Sequence, residues 1–183
     1  MKDKDATLYA QFLQGDVCAL EELIRLYGDN LVRFAYLYVK DSYLAEDVAE
    51  DTFVALWMKR KHFTQRAMFK TYLYKIAKNK CIDCLRKNRK TVPLQDVENV
   101  LQSADTEEAI DSLERNKMLY RCVHALPQQY QDVIHLAYLE GFEVAEICQV
   151  LGKNKKQVYN LLSRAKLSLK EILIREGVHY EDV

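Results

Sequence analysis

Glu143-Val-Ala-Glu-Ile-Cys-Gln-Val-Leu-Gly-Lys-Asn-Lys-Lys-Gln-Val-Tyr-Asn-Leu-Leu-Ser-Arg-Ala165 is the stretch whose reading decides the fold. It reads as two short helices joined by a tight turn, the helix-turn-helix unit that lays its second helix into the major groove of DNA. Cys148 is small where two helices close on each other, Gly152 permits the positive φ of the turn, and Val158 points back into a core. Asn154 followed by Gln157 has the spacing of a capping box, so the second helix starts there. Lys155 and Lys156 then fall in its first turn, where the macrodipole disfavours cations. Positive charge at that end implies an anionic partner. The competing reading is an ordinary helical hairpin with a basic, solvated face.

In the second helix Val158, Leu162, Ala165 and Leu169 form the inward stripe, with Leu161 alongside. Lys155, Lys156, Gln157, Tyr159, Asn160, Ser163 and Arg164 are left to face outward. Asparagine and glutamine pair with adenine edges, and arginine or lysine with guanine.

Outward from this hairpin, the rest of the chain carries helical signals only. Among 183 residues there are 5 glycines and 2 prolines, and no alternating apolar run long enough for a strand, so the expected fold is all-α. The net charge of zero conceals strong segregation. Residues 1–58 carry 5 basic and 11 acidic side chains, residues 59–90 carry 12 and 1, and residues 91–114 carry none and 7. Residues 153–175 are basic again, with 7 against 1. Two basic segments in a neutral chain imply two localised contacts with a polyanion. The longest apolar runs, such as Phe34-Ala-Tyr-Leu-Tyr-Val, lie between Arg33 and Lys40 and are far short of a membrane span. Met1-Lys-Asp-Lys-Asp holds no apolar signal core. The five cysteines (Cys18, Cys81, Cys84, Cys122 and Cys148) sit in helical patterns, which fits a reducing cytoplasm.

Helical periodicity runs through Thr7–Gln14 and stops at Gly15. Asp16 caps a second helix with apolar positions Leu20, Leu23, Ile24, Tyr27 and Leu31, and Gly28 is expected to bend or interrupt it before Phe34–Val39. A third helix starts near Ser42. A fourth is expected from a cap at Thr64 to about Arg89, with the stripe Phe69, Tyr72, Leu73 and Ile76. Residues 91–104, with Pro93 and no clear period, read as a linker. Asp105 and Glu108 restart a helix that runs to about Ala125, Pro127 opens the next, and Gly141 ends it. The expected organisation is a helical domain over 1–90, a linker over 91–104, a second helical domain over 105–176 and a tail over 177–183.

Two further segments carry information. In Ala45–Trp57, Glu46, Asp47, Glu50 and Asp51 form one acidic helix face beside Val48, Phe53, Leu56 and Trp57. Like charges four apart disfavour an isolated helix, and a basic partner relieves that; a solvated face over a core tryptophan is the alternative. A metal-dependent enzyme using the Glu46–Asp51 carboxylates is a further alternative, but metal sites in helical bundles draw Glu and His from facing helices. In Arg66–Lys90 and just before it, Phe63, Phe69, Tyr72 and Tyr74 interleave with Lys70, Lys75, Lys78 and Lys80, the pattern of a surface that tracks phosphates and stacks bases, although Phe69 and Tyr72 share the apolar stripe and are expected to pack. Asn79 lies on the polar side and suits a base-edge contact, while Asp83 is expected to pair with Arg86 or Lys87. Cys81 and Cys84 make a single C-x-x-C without histidines at metal-ligand spacing. No P-loop, nucleophile elbow, zinc-protease or dinucleotide motif is present. The expectation is a protein without catalysis, cofactor or metal.

Taken in order, these segments resemble the extracytoplasmic-function (ECF) sigma factors of bacterial RNA polymerase. The resemblance rests on the Ala45–Trp57 helix, Tyr72-Leu-Tyr-Lys-Ile-Ala-Lys-Asn with Asp83 and Arg86, Ala125-Leu-Pro with Val133-Ile, Leu136 and Gly141, and the hairpin ending Leu162-Ser-Arg-Ala. It implies that the acidic helix docks on the β′ clamp helices of core polymerase through Asp47, Glu50, Asp51, Phe53 and Trp57. It implies that Lys78, Asn79, Asp83 and Arg86, with Lys75 on the same basic helix, engage the −10 promoter element. The hairpin would read the −35 element and the second domain would touch the β flap. An anti-sigma factor covering these surfaces is a further implied partner, and the implied setting is the cytoplasm without membrane insertion. The chain departs from the family where the recognition helix often opens Gly-Thr-Val-Lys-Ser-Arg; here it is Lys156-Gln-Val-Tyr-Asn-Leu. Glu143 stands where a serine cap is usual, which is expected to weaken the first hairpin helix, and Glu50 replaces a common glutamine. A stand-alone helix-turn-helix regulator would explain the hairpin but leave the acidic and basic helices idle.

Overall fold

The computed structural model describes residues 2–58, 68–88 and 118–177. All regular structure among them is helical. The chain divides into two compact units, one holding the N-terminal helices and the other most of the chain after the linker. The linker itself, the Asp105–Glu108 capping pattern, Phe63 and Thr64 lie outside the described residues.

The first unit is built from α1 (Lys2–Leu13), α2 (Val17–Val39), α3 (Ser42–Met58) and α4 (Phe69–Lys87). Gly15, at φ +105°, turns the chain after α1, a conformation that costs glycine nothing. Asp16 then caps α2 as its side chain accepts from the backbone N–H groups of Cys18 and Ala19. At the other end Asp41 accepts from Leu44 N–H at 2.9 Å and opens α3. The core is aromatic. Tyr9 stacks on Phe69 at 4.8 Å, Tyr27 lies 5.8 Å from the same ring, and Tyr74 meets Phe34 edge-on at 5.2 Å. Tyr27 also donates its hydroxyl to the buried Asp5 carboxylate, which pins α1 to α2.

Four expectations are corrected in this unit. Gly28 neither bends nor interrupts α2, which runs unbroken from Val17 to Val39. The buried stripe Leu20, Leu23, Tyr27, Leu31 and Phe34 continues in phase across it, and packing of that stripe outweighs the roughly 1 kcal/mol that an interior glycine costs. Ile24, by contrast, is exposed. The fourth helix begins at Phe69, after an extended Met68. Tyr74 is fully buried, so it supports the core and offers no stacking surface.

The second unit comprises α5, whose described part covers 118–124, α6 (Gln128–Ile134), α7 (Val144–Leu151) and α8 (Lys155–Arg175). Pro127 immediately precedes α6, as its lack of an N–H favours. Gln131, buried, donates to the carbonyls of His124 and Leu126 at 2.9 and 2.6 Å and so closes the α5–α6 corner. A π-helical turn over His135–Leu139 follows α6, a feature the sequence reading did not anticipate. Gly141 turns the chain at φ +67°. Val133, Leu136, Ile147, Val150, Val158 and Ala165 form the buried centre against which the hairpin packs.

Candidate nucleic-acid interface and the acidic face

The hairpin forms as its residues dictate. Gly152 is the left-handed residue ending α7, at φ 66°, and Val158 is completely buried. Asn154 and Gln157 exchange two hydrogen bonds of 2.9 Å, side chain to backbone in each direction, which completes the capping box of α8. The start of α7 is also capped: the Glu146 carboxylate accepts from Glu143 N–H at 2.8 Å. Glu143 therefore does not leave the helix start bare, because it forms a capping box with Glu146 at the third position.

On α8 the outward set is exposed throughout: Lys155, Lys156, Gln157, Tyr159, Asn160, Ser163 and Arg164. Together they present three basic groups and two amides over the first three turns. Gln157 is the qualified member. Its side-chain oxygen accepts from Asn154 N–H, which turns the amide toward the cap and occupies one of the oxygen's two lone pairs. Asn160 carries no such obligation and remains the amide available for a bidentate contact. The spacing of a capping box is visible in sequence, and it was the signal that Gln157 is committed.

On α4, Lys75, Asn79, Asp83 and Arg86 are exposed and Lys78 is half-buried. Lys78, Asn79 and Arg86 lie three, four and eleven positions after Lys75, so the four share a face. Arg86 lies 3.7 Å from Asp83, the pairing expected one turn apart. Lys80 is turned toward α3, where its ammonium meets the Asp51 carboxylate at 3.1 Å. The C-x-x-C has the character of packing: Cys81 is buried, and burial pushes the Cys84 thiol above its ordinary value, which keeps it protonated at neutral pH.

The acidic face of α3 is real, and its composition differs from expectation at one point. Asp47, Glu50 and Asp51 are exposed, and Trp57 is 39% exposed with its ring 5.5 Å from Phe12. Phe53 is only 7% exposed and cannot touch a partner. It falls on the inward side with Ala49 and Leu56, where helix periodicity places it. The exposed stripe instead runs Tyr43, Glu46, Asp47, Glu50, Asp51, Val54, Trp57 and Met58. Val54 and Met58 carry no signal in the sequence that separates them from the buried residues, because the apolar residues of this helix line two faces.

An all-α chain with a helix-turn-helix in one unit and a basic helix beside an acidic one in the other is a DNA-binding protein of two parts. Comparison with known proteins makes the class specific. Residues 23–91 match the family Sigma-70 region 2, and residues 116–169 match Sigma-70, region 4. The chain is 27% identical over 164 residues to the ECF RNA polymerase sigma factor SigM of Bacillus subtilis, covering 88% of this chain and 99% of that protein. It is likewise 27% identical over 175 residues to SigW of the same organism, covering 89% and 93%. Among solved structures, CnrH in complex with the cytosolic domain of CnrY is similar at a TM-score of 0.69 and 26% identity, over 94% of this chain and 98% of that one. The chain belongs to the ECF sigma factors. It is a promoter-directing transcription initiation factor that works with RNA polymerase and has no catalysis of its own. No helix among the described residues is long and apolar enough to cross a membrane.

Proposed function

We propose that the outer face of α3 docks on the β′ clamp helices of core polymerase, with Asp47, Glu50 and Asp51 meeting cations and Val54, Trp57 and Met58 meeting apolar side chains. Lys75, Lys78, Asn79 and Arg86 of α4 engage the −10 element. Asp83 acts through Arg86, holding its guanidinium in place. Lys155, Lys156, Tyr159, Asn160, Ser163 and Arg164 engage the −35 element, the lysines on phosphates and Asn160 and Arg164 on bases. Gln157 holds the recognition helix in register. In this reading residues 1–90 are the polymerase and −10 unit, 91–104 the tether, 105–176 the −35 and flap unit, and 177–183 a tail, all at work in the cytoplasm.

One observation carries the proposal: the described residues hold three exposed helix faces, one acidic and two basic, on two separate units. Phosphates attract the basic pair and repel the acidic one, so DNA alone leaves α3 without a partner. A protein with basic and apolar side chains supplies it. CnrH is solved in complex with the cytosolic domain of CnrY, and a protein partner seated on the α3 face of this chain would silence it by occupying the polymerase site.

The deciding experiment is transcription by purified bacterial core enzyme with and without this chain, on templates recovered by selection from random promoter sequences. Chain-dependent initiation from a common two-part sequence is expected. An intact, inhibitor-free chain that neither associates with core enzyme nor supports initiation would refute the assignment.

A further inference from the structure

Asp51 and Lys80 belong to the two faces assigned above, and an ion pair of 3.1 Å joins them. Both ends are accessible, the Lys80 side chain at 32% and the Asp51 side chain at 59%. Lys80 follows Asn79 directly, on the side of α4 turned to α3. A cleft of about 380 Å³ opens beside the pair, its charged lining Asp47 and Asp51 from one helix and Lys80, Asp83, Arg86 and Lys87 from the other. An arginine or lysine of a docking helix has room to enter it and reach Asp51.

We infer that this ion pair couples polymerase docking to promoter contact, with Lys80 as a positioning residue held in reserve. A polymerase cation that pairs with Asp51 displaces the Lys80 ammonium and frees it for a promoter phosphate beside Asn79. In the other direction, a phosphate that draws Lys80 away leaves Asp51 unneutralised, four residues from Asp47. Like charges at that spacing repel, so the bare pair attracts a cation more strongly. Linkage requires the two effects to be equal. A half-exposed pair is weak enough to exchange partners, and it changes either equilibrium by a factor of about 1.5 to 5. The inference rests on the assignment of α3 to polymerase and α4 to the promoter. It differs from a simple staple between two helices, for which loss of Lys80 can only weaken docking.

The test uses the full-length chain with Lys80→Met, Lys80→Gln, Asp51→Asn and the Lys80→Met/Asp51→Asn double variant. Each is titrated against core enzyme without DNA, and each resulting holoenzyme against a promoter fragment over a range of salt. Lys80→Met is expected to bind core enzyme about 1.5- to 5-fold more tightly. The same holoenzyme should bind DNA with a salt slope shallower by about 0.9, one phosphate contact fewer. In the Asp51→Asn background, the change at Lys80 should no longer alter core affinity. Should Lys80→Met unfold, Lys80→Gln carries the comparison. Core binding that is unchanged or weakened by a folded Lys80 variant overturns the coupling, as does an unchanged salt slope. If Asp51→Asn alone leaves core affinity at the wild-type value, the fault lies in the α3 assignment, and the coupling falls with it.

Discussion

Replacing Phe53 by alanine is expected to unfold the first helical unit, whereas replacing its neighbour Val54 is expected to spare the fold and weaken polymerase docking. The two residues are adjacent in sequence and point to opposite sides of α3. Phe53 is 7% exposed and Val54 is 54% exposed. Deleting a buried phenyl ring costs about 3–5 kcal/mol. At about 4–8 °C per kcal/mol for a domain of this size, the melting temperature should fall by at least about 12 °C. Val54→Ala removes a half-exposed side chain, and its effect on stability should stay within about 0.5 kcal/mol. Docking would cover that exposed half. Taking roughly half of the roughly 1.5–3 kcal/mol for a fully buried apolar side chain gives roughly 0.8–1.5 kcal/mol, or roughly a 4- to 13-fold rise in Kd for core enzyme. Thermal unfolding by circular dichroism and fluorescence anisotropy against labelled core enzyme give the two readings. A Val54→Ala chain that melts like Phe53→Ala, or a stable Phe53→Ala chain that has lost core binding, would show that α3 faces the other way.

Two further outcomes are expected. Gly28→Ala should stabilise the first unit by about 0.5–1 kcal/mol, because Gly28 lies inside a continuous helix and a Cβ added there meets nothing within 4 Å. A lower denaturation midpoint would mean that the glycine serves a close approach. Asn160→Ala should cost about 1–3 kcal/mol of discrimination at one base pair of the upstream element and leave the −10 preference unaltered; selection of promoter sequences by the variant holoenzyme reads this directly, and an identical profile removes Asn160 from the readers.

Most of the fold was legible because its signals are local. A cap, a left-handed glycine or a capping box is contained within one turn of helix, so Asp16, Gly15, Asn154 with Gln157, and Gly152 can be read without knowing what lies opposite. The helix-turn-helix and its exposed face follow from them, since α8 has only one apolar stripe and everything else must point away. The same holds for the segregation of charge, which marked α3, α4 and α8 as surfaces. The π-helical turn at His135–Leu139 had no such signal, because its hydrogen bonds reach one residue further and no residue type announces them.

What the residues determined by themselves is thus the helical class, the two basic faces, the acidic one and the motif that places the chain among the sigma factors. Tertiary structure alone decided that α2 runs through Gly28, that Tyr74 belongs to the core, and that Lys80 leans on Asp51. The physical reason is common to all three. Each depends on which neighbour occupies the far side of a helix, and packing against that neighbour outweighs a propensity of a kcal/mol or less. Periodicity defines the faces of a helix; only the assembled core determines which face turns inward.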